Sequence, residues 1–94
     1  MSRRLLERIR ACVLARAYVL TDHAEQEMDE DGLSVFDVES AILTGRIIER
    51  QRDRRTREAK YVIKGSSVEG EEEIVTVVKL GPTGKAVILT VCVE

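Results

Sequence analysis

Apolar residues recur at helical spacing up to Gly45 and at extended spacing beyond it, dividing the chain into a helical part and a sheet part. Leu5, Leu6, Ile9, Cys12 and Val13 fall at i, i+1, i+4, i+7 and i+8, one stripe of an amphipathic helix whose arginines lie mostly outside it. Ala17-Tyr18-Val19-Leu20 is apolar without that spacing and is predicted to be a short extended link. Thr21 and Asp22 are both capping residue types. With Asp22 as N-cap, Glu25 takes the third helical position and completes a variant of the capping box. The helix so opened runs from about His23 to Asp31, with Ala24 and Met28 inward, and Gly32 supplies a left-handed stop. Ser34, with Asp37 three positions on, opens a third helix over Val35, Val38, Ala41 and Ile42, closed by Thr44-Gly45.

Four β-branched or alternating runs follow: Arg46 to Gln51, Ala59 to Lys64, Glu73 to Leu80 and Ala86 to Val93. Gly81-Pro82-Thr83-Gly84 joins the last two as a hairpin, Ser66 to Gly70 is a looser turn, and the charged Gln51 to Glu58 segment is an exposed loop. The last two strands are apolar on both faces, so their second face needs a cover: the first helix, a partner subunit or a ligand in a groove. A homodimer or intramolecular cover ranks above a groove. The expected architecture is one α+β domain, 1–94, with two to three N-terminal helices (1–45) packed on a C-terminal antiparallel sheet of about four strands (46–94).

Composition narrows the class. A chain of 94 residues buries only about 60 to 65% of its unfolded surface, so the core is thin and dimerisation is a natural supplement. Cys12 and Cys92 stand apart in apolar surroundings and are expected as buried, inert thiols. One histidine cannot complete a metal set, so neither a metal nor a cofactor is expected. No apolar run reaches the roughly 18 residues of a membrane span. The start of the chain is too charged for a secretory signal, which points to a reducing cytoplasm.

Net charge is only −2, but it is distributed in blocks. Five arginines stand against Glu7 before Ala17, and eight carboxylates without a cation lie between Asp22 and Glu39. Seven cations then oppose Glu49, Asp53 and Glu58 between Arg46 and Lys60. Such blocks either bind polyanions or pair with each other within or between molecules. Arg50, Arg52, Arg54, Arg55 and Arg57 could neutralise nucleic-acid phosphates, although Tyr18, Phe36 and Tyr61 offer little for base stacking. His23, at a helix start, is a candidate general base or an ordinary first-turn residue. Phosphate-binding glycine loops, nucleophile elbows and metal signatures are missing from the sequence.

One stretch is more specific. Leu20-Thr21-Asp22-His23-Ala24, Met28, Gly32-Leu33-Ser34, Val38, Ala41-Ile42-Leu43-Thr44-Gly45, Ile47-Ile48-Glu49 and the terminal Ala86-Val87-Ile88-Leu89-Thr90-Val91 resemble the bacterial domain-of-unknown-function family 4258. That family is similar in architecture to RelE-like and colicin-type ribonuclease toxins. The resemblance implies that His23 is the characteristic histidine, with Lys60, Tyr61, Lys79 and Thr90 of the sheet as candidates to complete a site. Where the family commonly carries arginines before the methionine and before the glycine, this chain has Glu27 and Asp31. If the domain is an enzyme, a question the sequence leaves open, it is a metal-independent ribonuclease. His23 then takes the proton of a ribose 2′-hydroxyl, and Arg50, Lys60 or Lys79 stabilises the phosphorane. The alternatives are a non-catalytic protein-binding or homodimerisation module and a weak nucleic-acid binder using the arginine loop. The expected partners are accordingly RNA, an antitoxin-like protein or a second copy, and not a membrane.

Overall fold

The computed structural model describes residues 3–94. Helix α1 (Arg3–Leu14) buries Ile9 and Val13 from its apolar stripe. It closes without glycine. Ala17 donates its backbone N–H to Cys12 and Arg16 to Val13, a Schellman pattern that puts Arg16 itself in the left-handed region at φ 55°. The next three residues, Tyr18–Leu20, form strand β1 and pair in parallel with β5, Tyr18 opposite Ala86 and Leu20 opposite Ile88.

Of the two capping candidates, Thr21 is the N-cap of helix α2 (Asp22–Asp31). The Thr21 hydroxyl accepts from the Ala24 N–H and donates to the Leu89 carbonyl, so the threonine caps the helix and ties it to the sheet. That second bond favours threonine over the alternative Asp22–Glu25 box. Gly32 stops α2 at φ 68°, and Leu33, whose N–H reaches the Met28 carbonyl, tucks into the core. Helix α3 (Val35–Thr44) carries the predicted capping box between Ser34 and Asp37.

Strands β2 (Arg46–Arg52), β3 (Ala59–Ser66), β4 (Glu73–Leu80) and β5 (Ala86–Val93) form an antiparallel meander, and β1 adds to its far side in the order β1-β5-β4-β3-β2. The α+β architecture stands, with two differences from the expected sheet. It has five strands and is mixed, because the apolar link continues the edge of β5 instead of bridging to the helix.

All three helices cover one face. Ile9, Val38, Ala41 and Ile42 meet Ile63, Ile74, Val78, Ile88 and Val91 in a closed core. The Thr76 hydroxyl, fully buried there, donates to the Ile63 carbonyl. Helix α3 lies so close to β3 that a Cβ on Gly65 would meet the Ala41 backbone, so glycine is required by space. Arg10 reaches across from α1 and donates to the Ile42 and Gly45 carbonyls, capping the C-terminus of α3 with positive charge. No described helix is long and apolar enough to cross a membrane.

Candidate functional site

His23 lies in the first turn of α2 with its side chain 65% exposed. Its Nε2 is 3.4 Å from the Glu27 Oε1, and Asp22 and Glu25 flank it in sequence. The imidazole therefore faces the Glu27 carboxylate. Lys60, Lys79 and Thr90 occupy register positions on the other side of the sheet, opposite the helices, while Tyr61 is buried in the core. Lys60 pairs with Asp53 at 3.5 Å and Lys79 with Glu58 at 3.3 Å. The structure thus brings the two lysines together with loop carboxylates, and places His23 on the opposite side of the sheet.

Glu27 and Asp31 have another task. Strand β1 ends at Leu20, which would leave the outward N–H groups of Val91 and Val93 on β5 without a strand partner. Glu27 Oε1 accepts from Val91 N at 2.9 Å and Asp31 Oδ2 from Val93 N at 3.4 Å. The geometry is a match of periods. Four helical residues rise about 6 Å, close to the roughly 6.6 Å between alternate strand residues. A helix lying along a strand can therefore present i and i+4 carboxylates to successive outward amides. Asp31 so placed opposes the dipole of α2, a cost of about 0.3–1 kcal/mol, which its bond to the strand offsets.

Cys92, next to this edge, is exposed and not buried as expected, since strand parity puts it on the bare face. Partial burial and the charges of Glu27, Asp31 and Glu94 push its thiol up from the ordinary value. Cys12 is half-buried and contacts the Gly84 carbonyl. Among the described residues, no group of three or more His, Cys, Asp or Glu is arranged to hold a metal ion.

The arginine segment is ordered by its own acids. Asp53 Oδ1 accepts from the N–H groups of Arg55 at 2.8 Å and Thr56 at 3.0 Å, and these bonds hold its carboxyl down at about 2. The backbone closes between Asp53 and Glu58, Arg57 adopts φ 66°, and the Arg52 guanidinium donates to the Arg57 carbonyl. Every acid of the β2–β3 hairpin is engaged by something other than arginine. Asp53 holds backbone and Lys60, Glu58 holds Lys79, and Glu49 accepts from Gln51. Arg50, Arg52, Arg54, Arg55 and Arg57 are all exposed. None of these five has a carboxylate within ion-pair distance among the described residues. Arg8 of α1 lines a shallow hollow with Glu58, Ala59 and Leu80 at this end of the sheet.

The acids that might have neutralised these arginines lie at the other end of the strands. Asp31, Asp37, Glu69, Glu71 and Glu72 surround an open hollow of about 510 Å³ with Phe36 and Val68 exposed in it. Asp37 accepts from the Val68 N–H as well as from Ser34, and these bonds lower its carboxyl pKa. Sequence reasoning missed this tie and the sealed β5 edge. Only the i, i+4 spacing of Glu27 and Asp31 hinted at the latter.

Three helices on one face of a mixed five-stranded sheet, with charge separated to its two ends, define a small polarised α+β domain. The chain belongs to the family described as domain of unknown function DUF4258, whose model matches residues 20–93, from the last residue of β1 through β5. No match is found among curated proteins or among solved structures.

Proposed function

We propose that this domain binds the phosphate backbone of RNA through the β2–β3 hairpin and does not cleave it. The observation that carries the reading is the state of the five hairpin arginines, exposed and without carboxylate partners although three acids lie among them. Guanidinium groups left unpaired on a braced hairpin are suited to forked bonds with phosphate oxygens. The shortage of exposed aromatics favours backbone contact over base stacking, hence little sequence preference. RelE-like cleavage at His23 has less support, because its imidazole lies 3.4 Å from the Glu27 carboxylate, which repels an approaching phosphate.

Fluorescence anisotropy with a labelled single-stranded RNA tests this. Binding is expected to weaken with salt. Charge reversal at Arg54→Glu and Arg55→Glu is expected to lower affinity at least tenfold and to flatten the slope of log K against log salt by roughly 1.4, at about 0.7 per phosphate contact. Unchanged affinity in that variant overturns the hairpin as the site, and stronger binding to duplex DNA overturns RNA as the ligand. Degradation of the RNA by wild type but not by His23→Ala overturns the non-catalytic reading.

A further inference from the structure

Among the described residues, Val68 at 60% and Phe36 at 57% are the most exposed large hydrophobics after Leu14, and both line the open hollow at the acidic end of the strands. Their setting is braced. Asp37 accepts from the Val68 N–H, and Ser67 closes the turn beyond, its N–H donating to the Glu72 carbonyl and its hydroxyl accepting from the Glu72 N–H. Phe36 stands one residue before that same Asp37, in the first turn of α3. One carboxylate thus ties the α3 wall to the β3–β4 turn, so the apolar seat is formed before anything binds. The charge around it is of one sign. No lysine or arginine lines the hollow. Glu69, Glu71 and Glu72 are exposed, and none has a cation within ion-pair distance among the described residues. Asp31 adds its charge at the C-terminus of α2, where the helix dipole is also negative. The N-terminus of α3, which would attract an anion, already holds Asp37 in its capping box.

We infer that this hollow docks a basic segment of a partner protein, seating one apolar side chain of that segment on Phe36 and Val68 between flanking lysines or arginines. Charge complementarity selects the occupant. The rim repels a nucleic acid. Among the described residues no three acids are arranged to hold a metal ion, so the charge suits cations spread along a chain. A second copy fits less well, because its basic hairpin tip, Asp53 to Glu58, brings guanidinium groups but no apolar side chain for the seat. Size points the same way. A hollow of about 510 Å³ falls in the range of clefts that take small ligands, roughly 300–1,000 Å³, and so matches a few side chains of an extended segment. The hollow lies at the opposite end of the strands from the hairpin arginines, so this docking neither uses nor requires the RNA-binding surface.

Fluorescence anisotropy of the full chain with a short labelled peptide of alternating arginine and leucine tests the inference. Wild type is expected to bind it about tenfold more tightly than an arginine–serine counterpart and not to bind a glutamate–leucine counterpart. Phe36→Ala is expected to lower affinity about tenfold. Glu71→Gln with Glu72→Gln is expected to weaken binding and reduce its salt dependence. Both variants should keep an unchanged circular dichroism spectrum, because all three residues are exposed. RNA affinity should not change in Phe36→Ala, so this inference and the hairpin reading fail separately. A wild type that binds all three peptides alike, or none of them, overturns the inference. So does peptide binding that survives both variants. Self-association of the wild type in sedimentation equilibrium that Phe36→Ala abolishes also overturns it, since a second copy would then fill the hollow.

Discussion

The two edges of the sheet are finished in opposite ways. On the β5 side, three residues of β1, the Thr21 hydroxyl and the carboxylates of Glu27 and Asp31 take up the backbone groups in turn. On the β2 side no described strand pairs with the edge, and Arg46, Arg50 and Arg52 stand along it exposed. An open edge bordered by charge resists pairing with other strands. The contrast assigns the two charge blocks different work. Acids of α2 hold the helix to the sheet, whereas the hairpin arginines hold no other element of the fold, Arg52 alone donating within the hairpin to the Arg57 carbonyl.

Removing an edge acceptor should therefore hurt where removing an arginine does not. Glu27→Ala leaves the Val91 N–H without its side-chain acceptor, and urea denaturation is expected to show a loss of about 1–2 kcal/mol. Glu27→Gln keeps a carbonyl oxygen in place and should recover most of that. Asp31→Ala should cost far less, since its bond is longer and its removal relieves the helix dipole. Equal losses at Glu27 and Asp31, or none at Glu27, would remove the distinction between the edges.

Much of the fold was legible because its signals are local. The α1 stripe, the Gly32 stop, the Ser34–Asp37 box and the Gly81–Gly84 turn each need residues only a few positions apart. The sealed edge was not legible. Glu27 finds its partner 64 residues away and Asp31 finds its own 62 away, and nothing beside either residue marks the strand it will meet. Strand β1 escaped for the same reason, being three residues long with its pairing entirely on β5. For the candidate site, the sequence showed an arginine-rich loop. Whether those charges would be neutralised depended on where Asp53 and Glu58 turned, and both turned to lysine.

A smaller effect should come from Tyr18, on the sealed side. Its hydroxyl donates to Glu39 Oε2 at 2.6 Å, and burial together with that bond raises its pKa to about 12. A raised acid favours the folded state while it stays protonated. Its contribution is thus complete below the ordinary tyrosine value of 10.0 and disappears as pH climbs from there through about 12. Tyr18→Phe is expected to cost about 1 kcal/mol at neutral pH. It should also remove a tyrosinate absorbance transition near pH 12, and a wild-type protein with no tyrosine titrating that late would contradict the bond.

The smallest stability change belongs to the arginines and is the most telling about the open edge. Arg54 and Arg55 have exposed side chains with no side-chain partner among the described residues, and the turn they sit in is held by Asp53 through backbone N–H groups that a substitution preserves. Reversing both to glutamate should move the unfolding free energy by no more than about 0.5 kcal/mol. Asp53→Ala removes both backbone bonds and should loosen the hairpin while leaving every arginine in place. If RNA affinity falls with Arg54→Glu and Arg55→Glu at constant stability, the charges themselves bind. If Asp53→Ala lowers affinity as much, the braced shape of the hairpin counts as heavily as its charge, and the open edge is as constructed as the sealed one.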